Sequence, residues 1–132
     1  MKKVIFLILL LLFTGIGGYF LFLGHQEGFD ITVKNQTDEK ISDLYITYNN
    51  ITSEIEIPPI QSGEKYKFNV TPTEEFGENS MTLHYKDNEG QLHTEYVFGY
   101  FEEGYYGNAK ITLKSIDENG KIQIKVVEDM FK

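Results

Sequence analysis

Two pairs of adjacent carboxylates fall in two short stretches whose surroundings suit a ligand. Glu74 and Glu75 lie in TPTEEFGENS, residues 71–80, and Glu102 and Glu103 lie in FGYFEEGYYGN, residues 98–108. A glycosidase acting on wall glycan would need such groups about 5–10 Å apart, one of them in an apolar setting that raises its pKa. Nothing in the spacing sets that separation, and a domain of about 105 residues leaves little room for a substrate cleft. The aromatic rings around the second pair offer a different chemistry. Tyr100, Phe101, Glu102, Glu103, Tyr105 and Tyr106 are expected to form a binding edge for a cationic or sugar-bearing partner. Loops carry such contacts, and tyrosine supplies area at low entropic cost. The competing reading packs Phe98, Tyr100, Tyr105 and Tyr106 into core and sheet edge, with the glycines making a bulge.

Other groups are less suggestive. His84 and His93 are expected to face each other across a hairpin with Glu95 nearby, a weak site for a transition metal. The plainer reading is two unconnected histidines on a solvated face, and no metal is expected. The tetrapeptides DNEG (87–90) and DENG (117–120) carry oxygen ligands of the kind calcium uses. Neither continues into an EF-hand loop, so both are read as hairpin turns. No nucleophile elbow, P-loop, HExxH or dinucleotide fingerprint occurs, and neither a cofactor nor an enzymatic activity is expected. The sequons at Asn35, Asn50 and Asn69 would matter only in a secreted eukaryotic protein.

The elements that hold these residues begin with an apolar segment. Val4 to Leu23 contains no charged side chain. As a helix of about 20 residues it would span roughly 30 Å, the hydrocarbon thickness of a bilayer. Lys2 and Lys3 precede it, and Glu27 and Asp30 follow it. The positive-inside rule then puts the N-terminus in the cytoplasm and the remainder outside. Residues 1–24 are therefore expected to be a retained signal anchor held in the lipid bilayer through residues 4–23, with 25–28 a short linker. The alternative is a cleaved signal peptide. Cleavage after Gly15 or Gly17 would leave the apolar stub Tyr19–Leu23 at the new terminus, and no Ala-x-Ala pattern is present.

The chain has 132 residues, no cysteine and no tryptophan, which excludes disulfides and sulfur-based metal sites. All 12 basic residues are lysine, and the two nearest the N-terminus precede the apolar run. The remaining ten lysines accompany all 20 carboxylates, so the part beyond the anchor has a formal charge of −10. Such a charge repels polyanions, and no nucleic-acid partner is expected.

From residue 29 onward apolar residues alternate with polar ones, the pattern of half-buried strands. Phe29, Ile31 and Val33 form one such set; Leu44, Ile46 and Tyr48 a second; Tyr66, Phe68 and Val70 a third. Pro58 and Pro59 end a short run at Ile55 and Ile57, since proline cannot donate to a ladder. Met81, Leu83 and Tyr85 lead into DNEG, and Leu92 and Tyr96 return. Pairing Lys86 with Gln91 would set Leu92 opposite Tyr85 and His93 opposite His84. Pairing Ile116 with Lys121 would set Ile124 opposite Leu113 and Val126 opposite Ile111. About eight strands at this spacing predict an all-β, antiparallel two-layer sandwich over 29–132, immunoglobulin-like, with a small barrel as the alternative.

Residues 31–70, reading ITVKNQT…ISDLYITY…IPPIQSGEKYKFNV, resemble the opening half of immunoglobulin-like modules of small Gram-positive envelope proteins. In those an I-x-V-x-N-x-T strand leads and a Ser-Gly-Glu turn precedes a central strand. The resemblance implies a fold and no activity. Together these observations lead to the expectation of a membrane-anchored, extracytoplasmic interaction module whose partner is another envelope protein. The alternative is a small wall-active enzyme, or an enzyme's accessory subunit, using the carboxylates of 71–80 and 98–108.

Overall fold

The structure, a computed structural model, describes residues 26–132. The anchor expected over residues 1–24 lies outside the described residues, as does the first linker residue. Among the described residues there is no helix, and hence none long and apolar enough to cross a membrane. Eight strands are present: β1 (Phe29–Asn35), β2 (Leu44–Tyr48), β3 (Ile55–Ile57), β4 (Lys65–Val70), β5 (Glu78–Lys86), β6 (Leu92–Glu102), β7 (Tyr106–Ile116) and β8 (Ile122–Phe131). They form two four-stranded sheets, ordered β4-β1-β7-β8 and β3-β2-β5-β6.

The alternation read from the sequence decides which face of each sheet is buried. Phe29, Ile31 and Val33 of β1, with Ala109, Ile111 and Leu113 of β7, point from one sheet. Leu44 and Ile46 of β2, with Met81, Leu83 and Tyr85 of β5, meet them from the other. Full burial of such a side chain is worth about 1.5–3 kcal/mol, so the sandwich is held chiefly by these rows. Tyr85 also ties the layers together. Its hydroxyl accepts from the Ile122 amide at 2.8 Å and donates to the Ile122 carbonyl at 3.2 Å. A buried phenol needs such partners, since an unpaired hydroxyl costs about 1–3 kcal/mol.

The NQT turn is built around a buried polar side chain. Asn35 is fully buried; its Nδ2 donates to the carbonyls of Glu39 (2.8 Å) and Ile60 (2.9 Å). Its Oδ1 accepts from the amide (2.9 Å) and hydroxyl (2.7 Å) of Thr37. The N-x-T spacing is thus explained by structure, because one amide side chain satisfies the Glu39 and Ile60 carbonyls and the turn donors.

Three expectations are corrected. The sandwich is not wholly antiparallel: β1 runs parallel to β7, with Phe29 beside Gly107 and Val33 beside Ile111. Its strand order also differs from the immunoglobulin order, in which the first and second strands share a sheet with the fifth and fourth. The third correction concerns the register of the β5–β6 hairpin. Tyr85 pairs with His93 and His84 with Thr94, so the two histidines occupy opposite faces. Leu92 pairs with Lys86 and, like Tyr96, stands in solvent, 54% and 65% exposed. The cause lies in the turn. Gly90 adopts φ +80, and the Asp87 amide donates to the Gln91 carbonyl at 3.0 Å. The loop is therefore three residues long, a type I turn closed by a left-handed glycine, where a four-residue loop was expected. One residue of slip sends every side chain of the return strand to the other face.

Candidate functional site

The 71–80 and 98–108 segments, far apart in the chain, converge at one end of the sandwich. Residues Thr71–Phe76, between β4 and β5, and Glu102–Tyr106, between β6 and β7, enclose a concavity of about 440 Å³ together with Gln26–Phe29. The strand order brings them together, since β4 and β7 both flank β1, and Phe29 at the start of β1 forms the floor. Residues 26–28 are already held on the domain. Gln26 Nε2 donates to the Gly107 carbonyl at 2.7 Å, and the Gly107 amide donates to the Gly28 carbonyl at 3.1 Å.

Five carboxylates line this concavity: Glu27, Glu74, Glu75, Glu102 and Glu103. Three accept hydrogen bonds, Glu102 from Tyr100 and the other two from groups beside the recess. The Tyr48 hydroxyl donates to Glu74 Oε2 at 2.9 Å, and the Phe76 amide donates to Glu103 Oε1 at 3.0 Å. Glu74 is held below the ordinary carboxylate range, first by its own backbone amide and then by Tyr48. Tyr48 is pushed up to about 12, by burial first and by the Glu74 carboxylate second. The pair is therefore a neutral phenol donating to a carboxylate at neutral pH. A glycosidase acid requires the opposite, a carboxyl raised above its usual range. Glu74 is shifted in the wrong direction for that role.

The aromatic members divide. Tyr105 and Tyr106 are half-buried and line the concavity. The Lys132 ammonium stands 5.4 Å from the centroid of the Tyr105 ring, and the Tyr106 ring stacks on Phe131 at 5.5 Å. Tyr100 does not enter the concavity; it stands 43% exposed, its hydroxyl donating to the Glu102 carboxylate. That bond, then burial, then charge from Glu102 and Glu78 push the Tyr100 phenol up to about 12. Phe101 is a correction: it is fully buried, against Phe29 at 4.8 Å and edge-on to Phe76 at 5.5 Å. It supports the concavity from beneath and does not line its surface. Two successive register shifts between β5 and β6 turn first Phe98 and then Phe101 inward, and the glycine-rich stretch gave no alternation from which to read that.

Sequence reasoning named the two loops but missed Tyr48, which fixes Glu74, and Glu27, which reaches the site from the first described turn. Only the sheet pairing could have found them. The histidines do not join any site together. His93 stacks on Tyr85 at 5.1 Å, its Nε2 lying 2.8 Å from Asp87 Oδ2. His84 lies tilted against Tyr45, ring centroids 5.6 Å apart; its Nε2 lies 3.0 Å from Glu54 Oε1, close in distance but off the geometry of a hydrogen bond. Among the described residues no group of three His, Cys, Asp or Glu side chains is placed to hold a metal ion.

No protein-family model matches the chain, and no curated protein matches it. A solved structure described as the NMR structure of the protein from Eubacterium rectale is similar in fold: it is 20% identical, with a TM-score of 0.47, over 78% of this chain and 94% of the other.

Proposed function

We propose that this protein is a binding module of the bacterial cell envelope, anchored by its N-terminal apolar segment and displayed outside the cytoplasmic membrane. The concavity between residues 71–76 and 102–106 receives a cationic group of another envelope protein. One observation carries the reading: five carboxylates and two tyrosines line one recess, and one of those carboxylates is held in its charged form by the fold. An ammonium or guanidinium entering there gains charge pairing and an aromatic face together. Tyr105 already presents its ring to the chain's own Lys132 ammonium, which is the contact a partner's lysine would make. The recess opens beside Gln26, within a few residues of the apolar segment, so the partner would be met near the membrane surface. The two-layer sandwich is consistent with the same reading, since loops at the end of a sandwich are a usual contact surface.

The test is crosslinking and pull-down of the full chain from membranes of its native host, with Glu75→Gln/Glu102→Gln as the comparison. These side chains are exposed at the recess, so the variant keeps its fold, checked by its unfolding midpoint. One stoichiometric partner, captured at low salt by the parent and lost in the variant, is the expected result. Capture that ignores both the substitution and the salt would end the proposal. Protease added outside intact spheroplasts should remove the domain; full protection would place it in the cytoplasm.

A further inference from the structure

The outer face of the β4-β1-β7-β8 sheet has a charge opposite to that of the protein. Side chains that alternate with the core residues point away from the sandwich there, and strand pairing sorts them into rows. One row reads Lys67, Thr32, Lys110 and Val127 across β4, β1, β7 and β8. The next reads Lys65, Lys34, Thr112 and Lys125. Five of the ten lysines beyond the anchor thus share two adjacent rows, and the rows contain no carboxylate. Among the described residues the close ion pairs are His84–Glu54 and His93–Asp87, and neither involves a lysine.

Lysine on an edge strand is a common guard against edge-to-edge aggregation, which would account for Lys65, Lys67 and Lys125. It does not account for Lys34 and Lys110, which sit on the central strands β1 and β7. Lys34 and Lys65 are direct cross-strand neighbours, a like-charge pair that destabilises a sheet. Among the described residues no carboxylate pairs closely with either ammonium, so an external anion would gain by relieving that repulsion.

We propose that this sheet face binds a linear polyanion bearing a phosphate on each repeat. The rows span three strand spacings, about 14 Å, so several successive anionic groups meet ammonium groups at once. Lysine is a point charge without the planar fork of arginine, and suits repeated monoanions held in no fixed orientation. Thr32 and Thr112, between the lysines, add hydroxyl donors. A lipid surface fits less well, because Asp30 and Asp129 occupy the next row and would be pressed against the headgroups. A second copy fits less well too, because the flat face does not enter the acidic recess. The inference is independent of that recess and uses none of its residues.

The experiment titrates the full chain, in nonionic detergent, with long-chain inorganic polyphosphate over a range of salt. The parent should bind with log K falling against log salt with a slope of about −3 to −4, as expected for four or five released counterions. Lys34→Gln/Lys110→Gln should weaken binding at least tenfold at low salt and reduce the slope by about 1.4. Lys40→Gln/Lys121→Gln removes the same charge away from the rows and should change binding less than twofold. No binding, or equal losses from the two pairs, would overturn the proposal. So would tighter binding to single-stranded DNA or to phosphatidylglycerol vesicles than to polyphosphate. Salt-sensitive self-association on sedimentation, abolished by Lys34→Gln/Lys110→Gln without polyphosphate binding, would assign the face to a second copy and overturn it as well.

Discussion

The β5–β6 and β7–β8 hairpins turn on the same chemistry and arrive at different packings. In each, an Asp Oδ1 accepts two backbone amides: those of Glu89 and Gln91 for Asp87, and those of Asn119 and Lys121 for Asp117. In each, a left-handed glycine closes the loop, Gly90 at φ +80 and Gly120 at φ +81. Both turns set the same register at the start, with Lys86 opposite Leu92 and Ile116 opposite Ile122. They part company at the bulges. In β7 the register shifts between Leu113 and Ser115, which restores Ile124 opposite Leu113 and Val126 opposite Ile111. In β5–β6 the first shift comes only between Thr82 and Met81, so Leu92 and Tyr96 stay outside while Phe98 and Phe101 turn in. A turn fixes where a hairpin starts; the placement of an extra residue fixes which apolar side chains reach the core.

The sharpest way to break this comparison is to truncate apolar residues on either side of the β6 shift. Phe98 is fully buried and packs on Phe29 at 4.5 Å between ring centroids. Phe98→Ala should lower the unfolding free energy by about 3–5 kcal/mol. Tyr96→Ala, two residues earlier and 65% exposed, should stay within about 0.5 kcal/mol. Chemical denaturation of both variants decides the matter. Comparable losses would mean that Tyr96 is packed and that the register given by the turn is wrong.

The two turn glycines sharpen the comparison at smaller cost. A Cβ on Gly90 meets nothing within 4 Å, so Gly90→Ala should cost only the left-handed backbone, about 1–2 kcal/mol. A Cβ on Gly120 would lie 2.6 Å from Asn88 Oδ1 and 3.1 Å from the Asn88 backbone amide nitrogen. Asn88 is held there because its amide donates to the Asn119 carbonyl at 2.9 Å, one turn bonding the other. Gly120→Ala should therefore cost more than Gly90→Ala by about 1 kcal/mol or more, through the displaced contact between hairpins. Equal denaturation midpoints would show that the turns are independent.

These same positions show what the sequence makes legible. The turns at 87–90 and 117–120, the buried sets on β1, β2 and β5, and the two-layer architecture follow from local pattern. Hydrophobic period and turn residues act over a few positions. The Ile124–Leu113 and Val126–Ile111 pairs were correctly expected, though by counting from Lys121, a partner the turn does not supply; the bulge cancels the error. The β1–β7 pairing joins residues almost eighty apart, and no local signal encodes it. Everything that depends on it was out of reach, including Glu27 at the recess and the two lysine rows. Lysines 34, 65, 67, 110 and 125 are scattered along the sequence and enter its charge only as part of a sum. A net charge of −10 describes the sum and conceals the distribution, and the distribution is what a partner meets.

The last difference between the hairpins is a third donor. Asp87 Oδ2 lies 2.8 Å from His93 Nε2, and the Asp87 carboxyl is held below 3.8 by that bond first and by the Gln91 amide second. Asp117 has backbone donors at Oδ1, and the His93 imidazole bonds Asp87 rather than it. A carboxyl whose pKa is depressed on folding adds stability above its unfolded value, and that stability is lost as pH falls through the folded value. The Asp87 contribution should therefore be intact at neutral pH and fade below about pH 3.8. Carbon-13 NMR of the side-chain carboxyl should give Asp87 a midpoint below 3.8 in the parent and a higher one in His93→Phe, which keeps a ring against Tyr85. The denaturation midpoints of parent and His93→Phe should then converge as pH falls through this window. A parent midpoint at or above 3.8, or one unmoved by His93→Phe, would remove the imidazole from the account and leave the two turns electrostatically alike.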